Sequence, residues 1–252
     1  MIRRFYAPTP AFAPDEKSVM LDADETQHLR DVLRLHRGDE VLVFDGAGRE
    51  FRAAIEEVTR SSSTLKVLSE VDPSRAESPL DLSLAIALLK HEKFDLVVQK
   101  ATELGVYRII PVTSDRADVR PRSDEQAGKR VARWQRIALE AAKQSGRARV
   151  PAIAEPRAFT DLVKGESEED FQLVMFAERA GQSLEAVCAG FPQPPLKLLA
   201  LVGPEGGWAD AEIELAREGG WGIVTLGGRI MRAETAAIAI VTLLQHRFGD
   251  LV

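Results

Sequence analysis

The sequence has one cysteine, Cys188. A lone thiol closes no disulfide within the chain and builds no cysteine metal cluster, and the apolar neighbours Val187 and Ala189 place it in a core. A reducing, cytoplasmic setting is therefore expected. The histidines are also few: His28, His36, His91 and His246 lie far apart without ligand spacing, so no metal site is expected. No apolar run approaches the roughly 18 residues a membrane helix needs, and the basic stretch from Met1 to Pro10 has no apolar segment behind it. Neither a membrane span nor a secretion signal is expected. The chain also lacks a Gly-Lys-Ser/Thr phosphate loop, a His-Glu-x-x-His pair and a Gly-x-Ser-x-Gly elbow, which removes the usual support for hydrolase and metalloenzyme readings. Gly46-Ala47-Gly48 opens like a dinucleotide fingerprint, but Phe51 stands at the third glycine position and a strand pattern follows. That segment reads as a hairpin turn.

What is present suits a folded protein. Of 252 residues, 45% are hydrophobic and 29% charged, which excludes a disordered, collagen-like or low-complexity chain. At roughly 150 residues per domain, this length fits one or two domains. Lys and Arg total 33 against 39 Asp and Glu, a formal net charge of -6, which argues against a general nucleic-acid coat. The charge is uneven, however. Segment 108–149 carries 11 Lys/Arg against 5 Asp/Glu, and segment 150–220 carries 5 against 13. A local basic patch steers a polyanion even on an acidic molecule.

The first seventy-odd residues read as a small β-rich unit. Val41 to Phe44 and Phe51 to Val58 form a hairpin about Asp45-Gly46-Ala47-Gly48, and Thr64 to Val71 adds a third strand. Asp24 to Leu35, with apolar positions at 29, 32, 33 and 35 and acids in its first turn, reads as a short helix, completing a small barrel with one helix. The polar, two-proline stretch Asp72 to Pro79 marks the domain boundary, which divides the chain into residues 1–72 and 73–252. Beyond it the pattern alternates. Strands are expected at Leu80–Leu89, Arg108–Val112, Leu173–Phe176, Leu196–Val202 and Ile223–Leu226. Helices are expected at His91–Leu104, Asp124–Ser145, Ser183–Ala189, Ala209–Gly219 and Glu234–Phe248. Alternation of this kind gives an α/β fold with a mostly parallel sheet covered on both faces.

Two glycine-rich loops follow buried strands and precede helices: Val202-Gly203-Pro204-Glu205-Gly206-Gly207-Trp208, and Leu226-Gly227-Gly228-Arg229-Ile230-Met231-Arg232. Either is open to reading as an ordinary strand-to-helix turn. Two in succession, with Glu205 in one and Arg229 and Arg232 beside Glu234 in the other, point to a ligand cleft at the carboxyl ends of neighbouring strands. Basic residues are the second signal. Arg130 to Arg149 forms an amphipathic helix with Trp134, Ile137, Ala138 and Ala141 on its apolar stripe, and Arg147 and Arg149 flank its stop. Arg3, Arg4, Phe5 and Tyr6 interleave cations with aromatics, which suits either stacking on bases or the start of a barrel strand. His28, Arg30, Arg34 and Arg37 add positive groups to the small domain.

Four strings in order carry a resemblance: Glu103-Leu104-Gly105-Val106-x-x-Ile109-x-Pro111, Glu140-Ala141-x-x-Gln144-Ser145-x-Arg147, Gly203 to Gly207, and Leu226-Gly227-x-Arg229-Ile230-Met231-Arg232-x-Glu234-Thr235-Ala236. They resemble the RsmE family, the 16S ribosomal RNA uridine N3-methyltransferases of the SPOUT superfamily. Arg4-Phe5, His28-Leu29-x-x-Val32-Leu33-Arg34, Gly38-Asp39 and Phe44-Asp45-Gly46 extend the match to nearly the whole chain. Met231 stands where the family commonly has leucine, a volume-conserving exchange.

The resemblance implies a SPOUT-type parallel sheet with a C-terminal trefoil knot, plus a small N-terminal PUA-like β-barrel that engages RNA. It also implies S-adenosyl-L-methionine as cofactor, a homodimer, and 16S rRNA or the small ribosomal subunit as partner. Cofactor contacts are expected from Glu178, Leu201, Val202, Gly203, Glu205, Gly206, Gly207, Leu226, Gly227, Ile230, Met231, Arg232, Thr235 and Ala236. RNA contacts are expected from Arg3, Arg4, Tyr6, His28, Arg34, Arg147 and Arg149. Methyl transfer to uracil N3 must dispose of the N3 proton. Arg232 is the candidate for stabilising the resulting negative charge, or else a dimer or phosphate contact. Glu205 is the nearest carboxylate, either accepting that proton, facing the sulfonium or capping the next helix. A ribose 2′-O-methyltransferase of the same superfamily and a non-catalytic RNA-binding protein are the alternatives.

Overall fold

The computed structural model describes residues 3–90, 92–117, 119–120, 123–165, 170–191 and 196–251. His91, expected to open a helix, lies outside the described residues. The chain divides into two compact units, residues 1–77 with 139–150 and residues 78–138 with 151–252.

In the first unit, strands β1 (Arg4–Tyr6), β2 (Ser18–Leu21), β3 (Glu40–Phe44), β4 (Glu50–Val58) and β5 (Ser63–Val71) form a five-stranded sheet in the order β1-β3-β4-β5-β2. β3 and β4 pair antiparallel across the expected turn, where Gly46 and Gly48 take positive φ. β1 pairs parallel with β3. The described ladder runs from β1 to β2 without a pairing between those two, so the expected barrel is an incompletely closed one. Alternate strand residues point to one core, in which Phe5, Leu21, Val41, Val43, Phe51, Ile55 and Leu65 cluster with Leu29. Leu29 comes from helix α1 (Ala23–Gln27) and the π-helical turn His28–Val32 that continues it. The Asp22 side chain accepts the Glu25 N–H at 2.9 Å and starts α1.

The second unit holds a seven-stranded sheet. Its strands are β6 (Asp81–Ala87), β7 (Arg108–Thr113), β8 (Ala152–Ile153), β9 (Arg157–Ala158), β10 (Gln172–Phe176), β11 (Lys197–Val202) and β12 (Gly222–Val224). The order is β12-β10-β11-β6-β7-β8, with β9 also on β7, and every pairing is parallel. β6 and β11 are buried on both faces and read as unbroken apolar runs, as parallel strands covered by helices must. The helices of the chain after the first unit's strands are α2 (Glu92–Glu103), α3 (Asp124–Ser145), of which residues from Leu139 onward count with the first unit, α4 (Phe159–Val163), α5 (Leu184–Ala189), α6 (Asp210–Glu218) and α7 (Ala233–Phe248). Ser183 caps α5, its Oγ accepting the Ala186 N–H at 3.2 Å. Cys188 is free and buried in that helix, and burial pushes its thiol up. No helix among the described residues is long and apolar enough to cross a membrane.

Candidate active site

Strands β10, β11 and β12 are parallel, with β10 between the other two, so the loops leaving their carboxyl ends emerge together. Residues of those loops, Lys93 from the first turn of α2, and Ala233, Ala236 and Ile240 from α7 enclose a cavity of about 690 Å³. The position is the ligand crevice of an open α/β sheet. The volume falls within the roughly 300–1,000 Å³ of small-molecule sites.

The loop after β11 is built around Trp208, which is fully buried. Its ring packs on Phe159 with centroids 5.1 Å apart, and its indole N–H donates to the Phe176 carbonyl at 2.9 Å. A Cβ at Gly203 would stand 2.7 Å from the indole nitrogen, so no side chain fits there. Gly207 has φ +67°, and a Cβ on it would stand 2.6 Å from a Glu178 carboxylate oxygen. Glycine at this position brings Glu178 against the loop backbone. Two guanidiniums fasten the loop: the Trp208 carbonyl accepts from Arg116 at 3.2 Å and from Arg179 at 2.9 Å. Arg179 also pairs with Glu178, and with Asp210 at 2.6 Å. Its hydrogen bond and charge hold the Asp210 carboxyl below the usual carboxylate range. Glu212 accepts the Ala209 N–H at 2.8 Å and the Asp115 N–H at 3.0 Å, which starts α6 and ties it to the loop after β7.

The loop after β12 is more open. It runs beside the loop after β10: Gln182 N–H donates to the Ile223 carbonyl at 2.9 Å, and Thr225 N–H to the Gln182 carbonyl at 2.9 Å. A Cβ at Gly227 or Gly228 would meet nothing within 4 Å. Arg229, Ile230 and Arg232 are exposed, and among the described residues neither arginine pairs with a carboxylate. Lys93 is paired instead. Its ammonium is bonded to Glu205 and lies 3.9 Å from Glu234.

The cavity gathers most of the expected cofactor residues: Glu178, Val202, Gly203, Glu205, Gly207, Leu226, Gly227, Ile230, Met231, Arg232 and Ala236 line it. Leu201 is fully buried within β11, Gly206 backs onto Arg116, and Thr235 is exposed in the first turn of α7; none of these three lines the cavity. Both proposed catalytic side chains, Glu205 and Arg232, do. Sequence reasoning missed Lys93, Phe176 and the structural wall made by Trp208. It also missed the Arg116 and Arg179 braces, because no local pattern announces a side chain that reaches a distant carbonyl.

The expected RNA-binding residues of the first unit are not brought to one exposed surface. Arg3, His28 and Arg34 are exposed. Arg34 lines a shallow groove with Arg30, His36 and Arg37 and with the acids Asp31, Glu56 and Glu57. Arg4 is turned inward: it pairs with Glu50 at 2.5 Å, donates to the Arg147 carbonyl at 2.7 Å and lies over the Phe44 ring at 3.9 Å. The buried Arg147 guanidinium is bonded to Glu77 at 2.7 Å. Arg149 is half-buried, its N–H donating to Glu77 at 3.1 Å. Tyr6 is half-buried beside Phe44, and burial, then Asp45, pushes its phenol up. No group of three or more His, Cys, Asp or Glu among the described residues could hold a metal ion.

Residues 76–245 match the family model described as an RNA methyltransferase domain, and residues 21–68 match the RNA methyltransferase PUA domain. The chain is 34% identical over 221 residues to the ribosomal RNA small subunit methyltransferase E of Synechocystis, covering 88% of this chain and 70% of that one. The chain belongs to the RsmE family. The RsmE protein of Bacillus subtilis is 29% identical over 98% of this chain and 97% of its own. Among solved structures, RsmE from Neisseria gonorrhoeae bound to S-adenosyl methionine superposes with a TM-score of 0.85 at 31% identity, over 100% of both chains. A structure from Legionella pneumophila with bound SAM gives 0.84 at 32%, again over 100% of both.

Proposed function

We propose that this RsmE-family chain, an S-adenosylmethionine-dependent rRNA methyltransferase, methylates N3 of one specific uridine in the 16S RNA of the small ribosomal subunit. The observation that carries the reading is the cavity itself: three strand-end loops and the α7 N-terminus surround about 690 Å³, with open space at Gly227 and Gly228. Those residues fit an adenosyl ligand, because glycine backbone presents N–H and C=O groups closely to a flat heterocycle. Gly203, Gly207, Leu226, Gly227, Ile230 and Met231 would hold it. S-adenosylmethionine, when bound there, supplies an electrophilic methyl group on a sulfonium.

The chain's own residues do the rest. Their main task is to hold a uracil N3 in line with that methyl group, since orientation alone supplies much of the rate in such displacements. Arg232 is exposed at the cavity rim without a carboxylate partner among the described residues, so its permanent charge is available to face the negative charge that forms on the uracil ring. Glu205 lines the same cavity and accepts the N3 proton.

In this reading, the first unit, as a PUA-like domain, engages RNA through Arg3, His28 and Arg34, which are exposed. The crossover from β11 to β12 passes over β10, and its return beside residues 181–182 is what a trefoil knot in residues 172–252 would require. Ile230, 98% exposed at the cavity rim, and Leu243, 41% exposed on α7, fit burial against a second copy in a homodimer. A ribosomal RNA substrate and a lone buried thiol both fit a cytoplasmic protein.

The test is nucleoside mass spectrometry of small-subunit RNA after incubation with the protein and S-adenosylmethionine. N3-methyluridine is expected. Methylation on a ribose 2′-oxygen, or none, would overturn the reading.

A further inference from the structure

Beside the cavity, three charged side chains that are remote in sequence converge. Lys93 and Glu205 both line it and are bonded to each other. Glu234 lies behind them at the start of α7, its side chain only 11% exposed, 3.9 Å from the Lys93 ammonium. The other Glu234 carboxylate oxygen is buried and has no hydrogen-bond partner among the described residues. Lys93 sits in the first turn of α2, where the helix dipole disfavours a cation, so its location is not explained by its own helix. Glu234 sits in the first turn of α7, where the dipole favours an anion. A nearly buried carboxylate with an unpartnered oxygen is costly, and the Lys93 charge at 3.9 Å offsets part of that cost.

We propose that Lys93 is a positioning residue for methyl transfer: anchored at its back by Glu234, it holds the Glu205 carboxylate against the cavity as the acceptor for the uracil N3 proton. The inference rests on the methyltransferase reading given above. The step balances without another reactant. The N3–H bond breaks and its proton passes to a Glu205 oxygen; the N3 electron pair forms the bond to the methyl carbon, and the S–C pair stays on sulfur. Charge balances too. Two carboxylates and one ammonium carry a net single negative charge opposite one sulfonium, and after transfer both the triad and the thioether are neutral. Without Lys93, two like charges would face each other across the wall, and Glu205 would lose the contact that aims it.

The experiment compares wild type, Lys93→Met, Lys93→Arg and Glu234→Gln by three readouts: single-turnover methylation of small-subunit RNA, calorimetric affinity for S-adenosylmethionine, and KM for the RNA. Lys93→Met is expected to lower the transfer rate about a hundredfold, the scale of a misplaced reacting group, while cofactor affinity and KM stay within about threefold. Lys93→Arg is expected to recover at least about tenfold of that loss, and Glu234→Gln to lose about tenfold, because it loosens the anchor and leaves the lysine in place. Wild-type transfer rates retained in Lys93→Met, or a loss that lies wholly in cofactor affinity, would overturn the proposal. Should Lys93→Met not fold, an unchanged rate in Glu234→Gln overturns it. Absence of methylation by the wild type sinks the underlying reading instead, so the two failures are distinguishable.

Discussion

Gly203 and Gly227 belong to the same cavity wall yet leave different room, and substituting each by alanine separates what the fold needs from what the ligand needs. At Gly203 the new methyl would lie 2.7 Å from the Trp208 indole nitrogen and 2.9 Å from its Cε2. Trp208 is fully buried and cannot swing into solvent, so it must shift off the Phe176 carbonyl it now meets at 2.9 Å. Overpacking costs about 1–3 kcal/mol, and an orphaned buried carbonyl about 1–3 more, so Gly203→Ala is expected to cost about 3 kcal/mol. For a chain of this size that lowers Tm by roughly 6–12 °C. At Gly227 the same methyl meets nothing within 4 Å, and the backbone φ is not in the left-handed region. Gly227→Ala is expected to leave stability within about 0.5 kcal/mol but to weaken S-adenosylmethionine tenfold or more, about 1.4 kcal/mol, by occupying the ligand's space. Scanning calorimetry and isothermal titration read the two effects. An unchanged Tm in Gly203→Ala together with unchanged affinity in Gly227→Ala would refute the description of this wall.

Three further outcomes are expected. Arg232→Ala should abolish methyl transfer and leave cofactor affinity nearly intact in calorimetry, the outcome expected of a cavity-lining guanidinium whose proposed role is to face the uracil ring; loss of cofactor binding alone would contradict that role. Glu77→Gln should destabilise the first unit by about 2 kcal/mol in urea titration, because it removes the carboxylate charge bonded to the buried Arg147 guanidinium. Tyr6 and Tyr107 are the only tyrosines, so Tyr107→Phe isolates Tyr6 in an alkaline titration of tyrosinate absorbance. Its phenol should ionise above the ordinary value of 10.0. Burial keeps the folded phenol protonated while the unfolded one ionises first, so this group subtracts stability as pH rises through about 10. Ionisation at or below 10.0 would contradict the burial assigned to it.

The parts of the fold that were legible in the sequence are those written in local pattern. β6 and β11 are unbroken apolar runs, the β3–β4 hairpin is bracketed by its turn residues, and α3 spans Asp124–Ser145 as its periodicity requires. β8 and β9 were not legible, because two residues cannot show a period of two. The parallel pairing of β1 with β3 was hidden for another reason: Arg4 meets Leu42 far along the chain, and nothing in either strand names its partner. The return of residues 139–150 to the first unit has the same character, since the Arg147–Glu77 pair joins positions 70 apart. The site divides likewise. Glycine loops at strand ends announced the cavity, whereas the Lys93–Glu205 pair joins side chains 112 positions apart and is visible only after folding.

In the proposed function the loops after β10, β11 and β12 close around one S-adenosylmethionine. A crystal of the protein grown with that compound tests it most directly. Density for the nucleoside is expected between residues 203–207 and 226–232, with its methyl group facing Glu205 and Arg232. Side chains filling that space, or the compound bound elsewhere on the chain, would show that these loops do not form the cofactor site.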